Sequence, residues 1–156
     1  HSIRNGLWGL RDAGCAEDDI ILVHDGVRPL VAERIITENI EKCRKYGYAI
    51  TGMICKEAIM QKVDDCVKNI DIPRERLVRT QTPHTYPLST LLKAHAEADA
   101  KGIDGTVASC TLMAELGVDN QHLVMGSEKN GLKLTQTEDV ELFKALKHTT
   151  KDEWLK

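Results

Sequence analysis

The sequence predicts a single α/β domain in which helices cover both faces of a parallel sheet. Three observations predict it: Ile20–Val23 is an unbroken apolar run, the segment after it carries apolar residues at helical spacing, and a second strand pattern follows directly. Strand, helix and strand at this spacing form a βαβ unit, whose crossover is right-handed and whose strands run parallel. At 156 residues the chain is the size of one ordinary domain, long enough to bury a core.

Ser2 can cap a helix whose apolar positions Ile3, Leu7 and Leu10 recur at helical spacing, with Gly14 closing it. The Ile20–Val23 run suits a strand buried on both faces and stops at His24-Asp25-Gly26, before Arg28-Pro29. Val31–Lys45 places Ile35, Ile36, Ile40 and Cys43 on one helical face and ends at Gly47; Tyr48–Ile54 is the second strand. Cys55–Arg79 is charged and weakly periodic, with short alternating pieces at Ala58–Val63 and around Leu77–Thr80. The pattern predicts a β-arm over about residues 55–80 that projects from the sheet. With little apolar surface of its own, such an arm is expected to pack on a partner subunit.

Gln81-Thr82-Pro83-His84 predicts a tight extended turn, because Pro83 keeps Thr82 out of the helical region. Leu88–Lys101 is an alanine-rich helix with Leu88, Leu91, Leu92 and His95 on one face, closed by Gly102. Val107–Leu116 predicts a short helix, and Leu123–Met125 and Leu132–Leu134 predict short strands. Thr135-Gln136-Thr137-Glu138 is a capping box for a last helix with Val140, Phe143 and Leu146 inward, before the polar tail Lys151–Lys156.

Composition narrows the function. Acidic residues number 24 and basic ones 21, which leaves no electrostatic footprint for nucleic acid. No apolar run approaches a membrane span, and no signal peptide is visible. The five cysteines are odd in number and never spaced Cys-x-x-Cys, which fits thiols of a reducing cytoplasm and not zinc or disulfides. The chain opens on His1 and enters a helical pattern with no strand before it, so the domain over 1–156 is expected to be N-terminally incomplete.

The chemistry concentrates at the end of the first strand. In open α/β sheets ligands bind at the carboxyl edge. There Asp25 can face a metal ion or a sugar hydroxyl, and Arg28 can fork onto a phosphate; a solvated ion pair is the plain alternative. Lys133 is either an edge-strand lysine or a cation beside a helix N-terminus, suited to a phosphate under attack. Arg74, Arg76 and Arg79 lie on the arm, either solvated or reaching into a phosphate pocket across a subunit boundary. Thr82 offers a hydroxyl at a fixed turn. His24 fits a hydrogen-bonded structural histidine, since no Ser or Cys pairs with it to suggest a hydrolase. No G-x-G-x-x-G follows a strand, which argues against a dehydrogenase.

His24-Asp25-Gly26-Val27-Arg28-Pro29, Thr80-Gln81-Thr82-Pro83 and Lys133-Leu134-Thr135 with Glu138-Asp139, in that order, resemble the cytidylyltransferases of sugar-alcohol phosphates. Ser2-Ile3-Arg4-Asn5-Gly6-Leu7 is similar to that family's Ser-Val-x-x-Gly-Leu helix start. The family acts on 2-C-methyl-D-erythritol 4-phosphate or ribitol 5-phosphate, in isoprenoid or in teichoic-acid and capsule biosynthesis. The resemblance implies a Rossmann-like nucleotidyltransferase fold, a cytoplasmic homodimer joined by exchanged arms, and transfer of CMP from CTP with Mg²⁺ and release of pyrophosphate. It implies that Ser2 and Gly26 serve the nucleotide, and that Asp25 serves the metal or substrate hydroxyls. Arg28 and Thr82 would line the polyol-phosphate pocket, Arg74 would bind the acceptor phosphate of the neighbouring subunit, and Lys133 would stabilise the α-phosphate under attack.

The family also has a glycine-rich triphosphate loop and a Pro-Lys pair upstream of the matched region, neither of which occurs here. By itself this chain is therefore expected to bind CTP poorly. Ala58 stands where the erythritol-phosphate enzymes have Thr, Thr106-Val107 where they have Thr-Asp, and Gly131 where they have Asn two residues before the lysine. The alternative reading is a catalytically inactive fragment that serves as a dimerising or binding module.

Overall fold

The computed structural model describes residues 2–103, 105, 106 and 108–148. Helix α1 (Ser2–Asp12) leads to strand β1 (Ile20–Val23), helix α2 (Glu33–Tyr46) and strand β2 (Ala49–Ile54). The arm follows, with β3 (Met60–Val63) and β4 (Cys66–Asn69), then a single 3₁₀ turn at Arg74–Arg76. Strand β5 (Val78–Pro87) runs straight into α3 (Leu88–Lys101); α4 (Ser109–Glu115), β6 (His122–Met125), α5 (Glu128–Gly131) and α6 (Thr137–His148) complete the order.

The main sheet has the order β1-β5-β2-β6. β2 and β6 pair in parallel, whereas β5 lies antiparallel between β1 and β2. The expected βαβ unit is thus real in sequence, but its strands are separated by an antiparallel one. Alternation along the strands builds two cores. Ile20, Ala49 and Val124 join Ile35 and Cys43 of α2 on one face. Ile21, Val23, Ile50 and Tyr86 meet Leu7 of α1, Leu88 and Leu91 of α3, and Leu112 of α4 on the other. Helices therefore cover both faces, as the apolar runs predict.

Between α2 and the sheet lies a buried polar knot. Asn39 donates to Ile35 O (2.7 Å) and Thr51 Oγ1 (2.9 Å), Thr51 donates to Pro83 O (2.8 Å), and Thr85 donates to Asn39 Oδ1 (3.3 Å). The helical face at Ile35–Cys43 thus carries an amide among its apolar residues, satisfied at both ends as burial demands.

Several expectations are corrected. Gln81–His84 is not a turn but the middle of β5, and it holds a bulge: Ile50 pairs with His84 while Thr51 pairs with Gln81. Pro83 has no N–H for a ladder, and a bulge is where a strand tolerates it. The arm's hairpin partner is Cys66–Asn69, closed at Asp64-Asp65, whereas Leu77 leads into β5, whose Val78–Thr80 pair with β2. Leu132–Leu134 is not a strand; it is an irregular segment after α5. The carboxylate that caps α6 is Asp139, accepting from Thr135 N and Gln136 N at 2.8 Å, and not Glu138. Val140 is exposed, while Phe143 and Leu146 are half-buried. Val107 and the tail Lys151–Lys156 lie outside the described residues.

His84 is buried in the sheet, and burial lowers its pKa to about 4. A folded-state pKa below the ordinary 6.5 means that the unfolded chain takes up the proton first. Stability is then full above pH 6.5 and falls between 6.5 and about 4, by about 3 kcal/mol. Denaturant melts across that window should show the decline, and His84→Leu should flatten it; equal slopes in the two proteins would refute the assignment.

Candidate active site

The apolar run of β1 ends because His24 and Asp25 begin a turn, closed by the bond from Arg28 N to Asp25 O (2.9 Å). The β5 bulge brings Thr82 beside it. Asp25 N donates to Thr82 Oγ1 (3.1 Å), Thr82 pairs with His24 Nδ1 (3.0 Å), and His24 Nε2 meets Arg28 O (2.9 Å). Thr82 Oγ1 accepts from Asp25 N, and His24 donates from Nε2 to Arg28 O, because a carbonyl can only accept. These bonds tie both ends of the turn to β5.

On this frame Asp25, Arg28 and Lys133 converge. Arg28 Nε donates to Asp25 Oδ2 at 3.0 Å, and Lys133 Nζ lies 3.3 Å from the same oxygen. The Arg28 side chain is only 13% exposed and also donates from Nη1 to the Gly131 carbonyl. Lys133, 45% exposed, keeps its ammonium toward solvent. Burial raises the Asp25 pKa, but the hydrogen bonds and charges of Arg28 and Lys133 outweigh it, so the carboxyl sits below its ordinary value. Both cations use Oδ2, and Oδ1 takes no hydrogen bond among the described residues.

Beside this triad opens a cleft of about 490 Å³ lined by Arg28, Arg79, Gln81, Glu128, Lys133 and Leu142, among others. Arg79 crosses its mouth to Glu128 (2.7 Å) and Glu57 (3.8 Å). Below it, Gln81 and Asn130 form a buried amide pair that sequence reasoning missed: Asn130 Nδ2 donates to Gln81 Oε1 (2.9 Å) and Thr82 O (3.2 Å). The only signal was Ser127, three residues before Asn130, whose Oγ caps α5 by accepting from Asn130 N (3.1 Å). Asn130 lies one position before Gly131, so an asparagine does stand buried at this site, three residues ahead of the lysine.

The remaining sequence-predicted residues lie elsewhere. Gly26 sits in the Asp25–Arg28 turn, and a Cβ there would meet nothing within 4 Å, which leaves its backbone open to a ligand. Arg74 lies at the base of the arm, bonded to Lys56 O (3.3 Å), and lines a separate cleft of about 610 Å³. Ser2 lines a third cleft, of about 350 Å³, with His95, Thr106 and Ser109. Among the described residues no cluster of three His, Cys, Asp or Glu could hold a metal ion.

The profile of the IspD family, 2-C-methyl-D-erythritol 4-phosphate cytidylyltransferase, matches residues 1–148. A ribitol-5-phosphate cytidylyltransferase of Lacticaseibacillus paracasei is 42% identical over 147 residues, covering 92% of this chain and 61% of that protein. A 2-C-methyl-D-erythritol 4-phosphate cytidylyltransferase of Clostridium acetobutylicum is 35% identical over 139 residues, covering 89% of this chain and 57% of that protein. The chain thus spans about three fifths of the length of these relatives. The solved 2-C-methyl-D-erythritol 4-phosphate cytidylyltransferase of Thermus thermophilus superposes with a TM-score of 0.76 at 27% identity, covering 94% of this chain and 67% of that one. The chain belongs to the 2-C-methyl-D-erythritol 4-phosphate cytidylyltransferase (IspD) family.

Proposed function

We propose that the protein transfers CMP from CTP to a sugar-alcohol phosphate and releases pyrophosphate. The observation that carries this is the convergence of a carboxylate, a guanidinium and an ammonium on Asp25 Oδ2 at the rim of one cleft. An oxygen of the acceptor phosphate attacks the α-phosphorus of CTP, and the bond to the β-phosphate breaks. The acceptor oxygen is already ionised at neutral pH, so the reaction asks for alignment and charge neutralisation and needs no covalent group. Lys133, half-exposed toward the cleft, supplies a cation where charge builds on the α-phosphate. Arg28, held by Asp25 and Gly131, presents its remaining N–H groups to the acceptor side.

Mg²⁺ is held in such sites by one or two carboxylates and the substrate's own phosphates, which fits a lone Asp25 with Oδ1 to spare. When bound, the ion would neutralise the triphosphate. Gly26 would serve the nucleotide and Thr82 the polyol pocket, Thr82 acting through the Asp25 turn that its hydroxyl holds; Ser2, also assigned to the nucleotide, lines a separate cleft. Either D-ribitol 5-phosphate or 2-C-methyl-D-erythritol 4-phosphate could be the acceptor. Ribitol 5-phosphate is favoured by the 42% identity to a ribitol-5-phosphate enzyme and by Ala58 on the arm.

The arm strands are exposed along their whole length, with Met60, Val63 and Val67 in water, which supports a homodimer in which each arm packs on a second copy. Arg74 at the arm's base would then serve the partner's site. The five cysteines form no disulfide, and among the described residues no helix is long and apolar enough to cross a membrane; a cytoplasmic location accords with both.

Pyrophosphate release by the full-length protein with CTP and each acceptor tests the reading: release with ribitol 5-phosphate is expected, and release with neither acceptor would overturn it. Lys133→Ala should lower kcat by about 10²–10³-fold, as loss of one transition-state donor does, and a near-normal rate would leave Lys133 a surface cation. Mixing Arg74→Ala with Lys133→Ala subunits should restore activity in the heterodimers if the arm serves its partner; no recovery would confine Arg74 to its own chain.

A further inference from the structure

We propose that Gln81 is the positioning residue of this site: its carboxamide pins the 126–133 segment to β5 and thereby sets where Arg28 and Lys133 stand around Asp25. Gln81 is 2% exposed and lies on β5 at the edge of the bulge. Its Nε2 donates to Ser127 O (3.0 Å) and its Oε1 accepts from Asn130 Nδ2 (2.9 Å), so one amide grips both ends of the turn that begins α5. Asn130 reaches on to Thr82 O, which ties the same turn to the residue holding Asp25 N.

Two glycines show how tightly the amide is held. A Cβ on Gly126 would stand 2.1 Å from Gln81 Oε1, and one on Gly131 would stand 2.5 Å from Nε2. Neither glycine has a positive φ, so each is required for room and not for backbone freedom. The segment so fixed carries the groups that matter. The Gly131 carbonyl accepts from Arg28, Leu134 N donates to Val27 O (2.8 Å), and Lys133 lies between those two anchors. A path of direct contacts thus runs from Gln81 through Gly131 to Arg28 and Asp25, and ends at Lys133.

This role rests on the proposed cytidylyl transfer, but it can be read without it. Gln81→Glu keeps the shape of the side chain. As a neutral acid it can still donate to Ser127 O and accept from Asn130; ionised, it turns an oxygen against the Ser127 carbonyl. In the full-length protein the ratio of its kcat to that of the wild type is expected to fall at least tenfold along a single ionisation as pH rises, with KM for CTP changed less than kcat. A purely structural loss would lower the ratio equally at all pH, and that result would overturn the proposal.

Gln81→Met, of similar volume but without hydrogen bonds, is read by nitrogen NMR of the Arg28 guanidinium, which Asp25 and Gly131 hold. The Arg28 Nε–H signal should move, and its exchange with water should speed up at least tenfold, as the fork on Asp25 and Gly131 loosens; an unchanged signal would overturn the proposal. Should the wild type transfer no cytidylyl group, the function fails while the Arg28 signal still decides the role of Gln81. Should the Met variant not fold, the pH profile of the Glu variant decides it.

Discussion

β5 runs antiparallel between β1 and β2 and breaks register once, and everything that meets at the site does so because of that break. C-terminal to the bulge its side chains reach both layers, with Tyr86 on one face and Thr85 on the other. At the bulge the ladder releases Thr82 and Pro83, whose polar groups find new partners: Asp25 N on Thr82 Oγ1, Thr51 Oγ1 on Pro83 O, and Asn130 Nδ2 on Thr82 O. A strand that kept register would spend these groups on its neighbour and leave the Asp25 turn unanchored.

The charges at the rim are balanced against partial burial. Asp25 is 35% exposed, so its carboxylate loses some hydration, and the two cations at 3.0 and 3.3 Å more than compensate. The two cations differ in freedom. Arg28 is locked by a carboxylate and a carbonyl, whereas Lys133 has one close partner and open solvent around it. A fixed fork and a movable point charge suit the positioning of one phosphate and the neutralisation of another.

Arm and body are built on different terms. The body buries two apolar layers and a satisfied polar knot at Asn39, while the hairpin β3–β4 buries none of its residues. A two-stranded hairpin of that kind has too little apolar contact to define its own position. Its base is tied to the site side by charge: Arg79 spans Glu57 and Glu128, and Lys56 lies 3.9 Å from Glu128. The part of the molecule proposed to meet a second copy is thus linked to the cleft by exposed ion pairs, each weak alone and readily exchanged.

The elements whose register depends on nearby residues were legible in the sequence. Ile20–Val23, Leu88–Lys101 and the helix ending at Gly47 follow from apolar spacing and stop signals, and the structure places them within about two residues of expectation. Asp25 and Arg28 were legible as well, because a strand ending in charge needs no distant partner to be noticed. Tertiary structure alone decided the rest. Pro83 gives a turn signal locally, yet the pairing of Gln81 and His84 with β2 on either side of it keeps it within a strand. Lys133 was expected in a strand, but α5 and the Val27 carbonyl place it in a loop. Gln81 was legible only as a letter of the Thr80–Pro83 motif and Gly131 only as a departure from the family pattern; what they do with Asn130 and Gly126 exists only once Gln81 and the 126–133 segment, 45 or more residues apart in sequence, lie in contact.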